Sequence, residues 1–494
     1  MVGMNKEAVA QKISEEKIID IPQEELNWGS VSLSEVLNSD TRLEASVYNI
    51  EGRHAREILK KCKWNVVQLS GEKGLIKSAF YPTRFKRVYV EKEGGIPFFL
   101  PSQLLEIYPK PVKYISPKTN VAIDELKIKN NTLLLTRSGT IGYCAVACKT
   151  LIGKVFSDDI IRVSFKSEED LGYTYAFLKT KIGNTLLQTN NYGSVVSHIE
   201  PEHLNNIPIP NPPSMIKKRI HELVMKSYEL RDESNELLDK AEELLINELE
   251  LPPIDDFKLD YFDKSSELKN YTVRLSELQE RFDASYHVPI VKAIVDHLKK
   301  HALEVTTLGD SRISKKVILP GRFKRVYVEE GQGIKFLGGR EIFELNPSTN
   351  KFLSVRYHKR KIEKELSIKA NSILTTSRGT LGKVVLAPKH FEGWAISDNL
   401  IQIIPSSIEL VGYIYVFLNS DYGYELINRF TYGAVVDALE PAHILQVQVP
   451  ILKNKTVQQT INEIALEANE KRYKAYKLEQ KAIAMVNDEV IHKY

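Results

Sequence analysis

The octapeptide Arg84-Phe85-Lys86-Arg87-Val88-Tyr89-Val90-Glu91 returns unchanged as Arg322-Phe323-Lys324-Arg325-Val326-Tyr327-Val328-Glu329. So long a recurrence makes the chain two copies of one unit. Later blocks keep step at an offset of 240. Arg137-Ser138-Gly139-Thr140-Ile141-Gly142 answers Ser377-Arg378-Gly379-Thr380-Leu381-Gly382, and Ser157-Asp158-Asp159 answers Ser397-Asp398-Asn399. Tyr192-Gly193-Ser194-Val195-Val196 answers Tyr432-Gly433-Ala434-Val435-Val436, and Glu200-Pro201-Glu202-His203-Leu204 answers Glu440-Pro441-Ala442-His443-Ile444.

Around these blocks the texture of a unit is mostly β. The runs 86–90, 97–100, 132–136, 144–147 and 159–165 are short, apolar and punctuated by glycine turns. Helices are expected over 53–62 and 288–301, and one helix over 171–187 (411–427 in the second copy) is expected to close the sheet. Each unit ends in an extended Pro-rich segment, Ile207-Pro208-Ile209-Pro210-Asn211-Pro212-Pro213 and Val447-Gln448-Val449-Pro450.

A long helical pattern follows each unit. From Ser214 to about Glu250 there is neither proline nor glycine, and Ile220, Leu223, Leu230, Leu237, Ala241 and Leu244 recur at spacings of three and four. That is a heptad seam, with Ser227 and Ser234 in its gaps. Ser214 is placed to cap the start, and Pro252-Pro253 ends it. The second pattern begins near Lys455, with Val457, Ile461, Ile464, Ala468, Ala475, Leu478, Ala482 and Met485 as its seam and Lys471 as its break. Each helix is about 50 Å long at 1.5 Å rise per residue. Packed as an antiparallel pair, they would hold the two units at opposite ends.

The chain has 494 residues, more than one core holds, and its 43% hydrophobic and 27% charged content is that of a soluble globular protein. A net charge of +4 permits an acidic polymer as partner without demanding one, so a nucleic-acid surface has to be a local patch. Three cysteines, Cys62, Cys144 and Cys148, fit a reducing compartment, and none has the neighbours a zinc site needs. No apolar run approaches the roughly 18 residues of a membrane span. The charged N-terminal stretch reads as a helix and not as a signal peptide, so a cytoplasmic protein is expected.

Motifs of catalysis are missing from the sequence. There is no phosphate loop, no G-x-S-x-G and no His-Glu-x-x-His. Asn211-Pro212-Pro213-Ser214 looks like the loop of amino-methyltransferases, but serine stands where that loop stacks an aromatic. The second copy has no equivalent, and a Pro-rich lead into a helix is preferred. Asp158-Asp159 could be read as nuclease carboxylates, yet the second copy carries Asp398-Asn399, which favours a turn. For contact chemistry the octapeptide stands first. In a strand Phe85, Arg87 and Tyr89 share one face and Arg84, Lys86, Val88 and Val90 the other. Its cations Arg84, Lys86, Arg87, Arg322, Lys324 and Arg325 suit phosphates or base edges, as do Arg137 and Arg378 on their turns. A basic, solvated strand entry and a solvated hairpin are the alternatives.

The ordered series resembles the specificity subunit of a type I restriction–modification system. The features are two β-rich units, each opening on Arg42-Leu43-Glu44-Ala45 or Arg281-Phe282-Asp283-Ala284 and each followed by a long helix. The resemblance implies an α+β fold: two tandem β-rich target-recognition domains separated by long α-helical coiled-coil spacers. Its divisions here would be an N-terminal extension (1–30), target-recognition domain 1 (31–213), a central coiled-coil helix (214–252), a linker with target-recognition domain 2 (253–453) and a C-terminal coiled-coil helix (454–494). It implies a non-catalytic subunit that binds double-stranded DNA at a split target and recruits two methyltransferase subunits and restriction/translocase subunits. Ile220, Leu223, Leu230, Leu237, Leu244, Ile461, Ile464 and Leu478 would bind partners. S-adenosylmethionine, ATP and Mg would belong to those partners, with no cofactor, metal or membrane for this chain. A residue shared by both units should position the backbone or support the fold, so the bases would be read where the copies differ, around 91–131 and 329–371. The alternative is a DNA methyltransferase or nuclease with its own active site.

Overall fold

The computed structural model describes residues 30–38, 48–92, 94–138, 141–189, 198–259, 270–278, 281–347, 349, 351–433 and 437–492. The N-terminal extension except residue 30, most of the Arg42–Tyr48 motif, Gly139-Thr140, the 192–196 block and Ala434–Val436 lie outside the described residues.

Each unit contains two four-stranded sheets with the same strand order in both copies. The larger sheet of the first unit runs Ile76–Phe80, Ile160–Phe165, Leu133–Thr136, Cys144–Val146, all antiparallel. The second unit repeats it as Ser314–Ile318, Leu400–Pro405, Ile373–Thr376, Val384–Leu386. Even a bulge is shared, between Ile76 and Ser78 and between Ser314 and Lys316. The central strands are buried on both faces, so apolar residues follow one another along them, with Arg162 and Gln402 as buried polar exceptions. Leu133, Leu135, Ile161 and Val163 face the helix-side core, whereas Leu134, Ala145 and Ile160 face a second, smaller core. The smaller sheet runs Tyr89–Val90, Lys113–Ile115, Ile96–Phe99, Val155–Phe156, and only its last pair is parallel. The Pro-rich segments are edge strands, with Val67 opposite Ile209 and Val305 opposite Pro450.

The helix expected over 171–187 is two helices, α1 (Glu168–Lys179) and a shorter one over Lys181–Thr189. Thr180 is extended between them; its hydroxyl donates to the Phe177 carbonyl and accepts from Gly183 N. A Cβ on Gly183 would lie 2.1 Å from the Phe177 oxygen, so glycine is required for the tight turn. Ser420 and Gly423 repeat the device.

The long helices are α2 (Ser214–Glu248) and, beyond the short α3 (Val355–Lys361) and the sheet-packing α4 (Ile408–Asn419) of the second unit, α5 (Lys455–Met485). Ser214 does not cap α2: Pro213 holds the N-cap position, and the Ser214 hydroxyl donates to Glu169 at 2.7 Å. Asn454 caps α5 through bonds from Thr456 N and Val457 N. The helices run antiparallel, since Ser227 meets Ala475, Glu233 meets Lys471 and Ser234 meets Arg472. Lys471, the break in the seam, is thus an ion pair to Glu233 at 2.7 Å.

Burial is reciprocal. Ile216, Ile220, Val224 and Tyr228 at the start of α2 join the first unit's core, and Leu238, Ala241, Leu245 and Leu249 at its end join the second's. Helix α5 begins in the second unit's core with Ile461, Ala465 and Ala468, and Ala482, Met485 and Val486 close the first. The expectation that the seam itself meets partner subunits is corrected for Ile220 and Ile461, which are fully buried within this chain. Leu223, Leu237, Leu244 and Ile464 are half-buried against the same cores, and Leu230 and Leu478 are half-buried at mid-helix.

A polar layer crosses the middle of the pair. Glu479 is fully buried, receives a charge-assisted bond from Arg231 and accepts from the Tyr175 hydroxyl. Burial alone pushes the Glu479 carboxyl up, but Arg231 and Lys179 outweigh it and leave the group below the usual carboxylate range. Arg472 occupies the position on α5 that Arg231 occupies on α2. It donates to Ser234 at 2.9 Å and to Tyr415 and Asn235 at 3.5 Å. Arg231→Met strands a buried carboxylate and is expected to cost about 3–5 kcal/mol in denaturant titrations. Arg231→Met with Glu479→Leu is expected to recover most of that loss. Because the folded carboxyl is depressed, the pair's contribution is present above the ordinary glutamate value of about 4.3 and is lost as pH falls below it. The double variant should lack that acid-dependent step.

Candidate nucleic-acid interface

The alternation expected for the octapeptide is present, although only Tyr89–Val90 and Tyr327–Val328 are ladder strands. Phe85, Arg87 and Tyr89 pack on one ring, Phe98, with ring centroids at 6.3 and 6.4 Å and the guanidinium at 5.7 Å. In the second unit Phe323, Arg325 and Tyr327 pack on Phe336 at 6.3, 5.4 and 6.0 Å. Arg84, Lys86, Arg322 and Lys324 point the other way and are exposed, without an ion pair among the described residues.

The Arg of each clamp reaches the Ser-Asp turn. Arg87 donates to Asp158 at 2.7 Å, Ser157 at 3.0 Å and Asp159 at 3.3 Å, and Arg325 is ion-paired to Asp398. Burial opposes the Arg87 charge, but the two carboxylates outweigh it and hold the group above its ordinary value. The turn is tied to the smaller sheet by Ser157 N to Phe99 O at 3.0 Å and by Ser397 N to Leu337 O at 2.9 Å. Asp158, only 4% exposed, is therefore a clamp for the octapeptide. Arg87 and Arg325, expected at the interface, are engaged inside their units by their nearest carboxylates.

Arg137 is similarly engaged. It donates to Glu200 at 2.5 Å, approaches Asp159 at 3.5 Å and lies 4.4 Å from the Tyr81 ring. Its place in the second unit belongs to Ser377, because Arg137 N bonds Asp159 O and Ser377 N bonds Asn399 O. Arg378 stands one residue on, opposite Ala438, and is exposed. The structure thus gathers Arg84 and Lys86 on one unit and Arg322, Lys324 and Arg378 on the other as accessible cations.

Other motifs resolve as scaffold. Asn211 N donates to Asn65 O at 2.7 Å, which fastens the Asn-Pro-Pro segment beside the start of the unit. Glu200 N and Glu440 N each donate to the imidazole three residues on, His203 and His443. Burial pushes the Cys144 thiol up to about 11 and the Cys148 thiol to about 12, which keeps both protonated and poor metal ligands. Among the described residues no cluster of His, Cys, Asp and Glu could hold a metal ion, and no helix is long and apolar enough to cross a membrane. Sequence reading placed base contacts broadly in 329–371 without singling out α3. Its run Val355-Arg356-Tyr357-His358-Lys359-Arg360-Lys361 is the strongest basic signal in that window, with no counterpart in the first unit.

Residues 64–242, the first unit with α2, match the family model "Type I restriction modification DNA specificity domain". That stretch is similar to a type I DNA specificity domain. The second unit repeats the first unit's sheets strand for strand. Among solved structures, the chain is similar to the type I restriction–modification S subunit from M. genitalium, at 16% identity and TM-score 0.31, covering 86% of this chain and 98% of that one. It is also similar to the HsdS subunit from Thermoanaerobacter tengcongensis, at 12% identity and TM-score 0.26, covering 86% and 100%. A third, titled for complex assembly and conformational transition of the type I R-M system, has 13% identity and TM-score 0.26, covering 86% and 96%. No curated protein matches the chain.

The clamp separates two kinds of arginine in this domain. Arg87→Ala leaves Asp158 without its cation and is expected to lower stability by about 2 kcal/mol. Arg84→Ala, at an exposed position, should change it by less than about 0.5 kcal/mol. Equal losses in thermal and denaturant unfolding would contradict this division.

Proposed function

We propose that the chain is a non-catalytic DNA-recognition subunit whose two units each read one half of a split target. The observation that carries this reading is the duplication, on an antiparallel helix pair, of a unit whose first copy matches a DNA specificity domain model. Two rigidly joined readers at fixed spacing suit two half-sites separated by unread base pairs. The exposed cations Arg84, Lys86, Arg322, Lys324 and Arg378 supply phosphate contacts, which position the protein on the duplex without reading sequence. On the same reading the long helices act as coiled-coil spacers, and methyltransferase and restriction subunits dock on the outer surface of the assembly, in the cytoplasm. S-adenosylmethionine, ATP and Mg then belong to those partners.

Each phosphate contact adds about 0.9 to the slope of log affinity against log salt. Arg84→Ala with Arg322→Ala is therefore expected to reduce that slope by about 2, and an unchanged slope removes both residues from the interface. Mapping adenine methylation after co-expression with a methyltransferase subunit should return a split target; a continuous one contradicts two half-site readers. The chain alone should not bind S-adenosylmethionine, and saturable micromolar binding would favour an enzyme with its own active site.

A further inference from the structure

The two units share a scaffold but not a charge. Between the matched strand residues Ile115 and Leu353 and the matched left-handed residues Asn131 and Asn371, the copies diverge. The first unit has Ser116–Asn130, with three lysines and two carboxylates, a net charge of +1. The second has Ser354–Ala370, with six cations and two carboxylates, a net charge of +4.

The excess is organised by α3. On its inner face His358 accepts from Val326 N at 3.1 Å and stacks edge-on against Phe323 at 5.2 Å. Lys361 lies 5.1 Å from the Phe323 ring, and Ile362 packs into the same small core. These three recur at i, i+3 and i+4, so they dock one helical face on the octapeptide. Arg356, Lys359 and Arg360 follow the same spacing on the opposite face. All three are exposed, with no ion pair among the described residues. Tyr357 beside them is 69% exposed. Of the two carboxylates that follow, Glu365 is held by Lys361 at 2.9 Å and Gly321 N at 2.9 Å, and Glu363 is exposed with no ion pair to the three cations among the described residues. The matched core residues Leu126 and Leu366 and the matched bridges of Lys127 and Ser367 place the first unit's short helix Ile123–Leu126 opposite 363–366; opposite α3 itself the first unit has the non-helical stretch 117–121, with Lys118 as its one cation.

We infer that α3 is the DNA anchor of the second unit, presenting Arg356, Lys359 and Arg360 to the duplex beside Arg322 and Lys324, and that the first unit has no equivalent. Binding is therefore asymmetric, and the second unit supplies most of the salt-dependent affinity. The major groove admits a helix, and guanidinium groups suit both phosphates and guanine edges, so this face fits double-stranded DNA. The inference rests on the DNA-recognition reading above.

The test uses the full chain and a mixed-sequence DNA duplex, with affinity followed across salt concentrations. Removing three phosphate contacts reduces the slope by about 2.7. Arg356→Ala/Lys359→Ala/Arg360→Ala is expected to reduce it by about 2–3 and to leave the thermal midpoint unchanged. Lys118→Ala/Lys127→Ala/Lys129→Ala, which removes as many charges from the first unit, is expected to reduce it by less than about 1. Equal reductions, or no reduction in the α3 variant, overturn the asymmetry while leaving DNA recognition standing. A wild-type chain that does not bind the duplex overturns the recognition reading itself.

Discussion

The antiparallel contact of α2 and α5 is the constraint on which the rest of the molecule depends. Each helix starts in the core of its own unit and ends in the core of the other, so neither core is complete without both helices. The crossing region is where an apolar seam would slide most easily. There the chain places a buried ion pair, Arg231 with Glu479, and a second buried arginine, Arg472, on Ser234 and Asn235. Buried polar partners are satisfied at one register only, whereas leucines tolerate several. The register of the helix pair, and with it the placement of the two units along it, is thereby fixed by chemistry at mid-helix.

The units also touch directly. Ile107 N donates to Phe343 O at 3.0 Å, and Lys383 meets Glu106 at 3.3 Å. Burial raises the Glu106 carboxyl above its usual range in spite of that lysine. The two β bodies are thus fixed to one another as well as to the helices.

Within each unit the shared and the divergent residues divide the labour. Phe98 and Phe336 gather the octapeptide, and Asp158 and Asp398 anchor its arginines. That explains why the octapeptide is the same in both copies: it is held on one face by aromatic packing and an ion pair, and a change at Phe85, Arg87 or Tyr89 would disturb the clamp. What differs is hung on this support, a non-helical stretch over 117–121 in one unit and the basic helix α3 in the other.

Much of the fold was legible because it is periodic. The offset of 240 exposed the duplication, the alternation of the octapeptide predicted which side chains share a face, and the three–four spacing located both long helices. Strand Ile76–Phe80 was missed because only Ile76 is buried and Lys77 and Ser78 are exposed, which leaves no apolar pattern to find. The break at Thr180 was missed because an apolar helical period runs through it; the close approach of Gly183 to Phe177 is a three-dimensional fact. The same holds for function. Sequence by itself determined the two-fold architecture and the inventory of cations. Only the tertiary structure decided which cations are engaged, because Arg87 meets its carboxylate 71 positions away and Arg137 meets Glu200 63 positions away, while Arg84, Arg356 and Arg360 are exposed with no ion pair among the described residues. A charge is available to a ligand when folding brings it no counter-charge, and no local pattern encodes that.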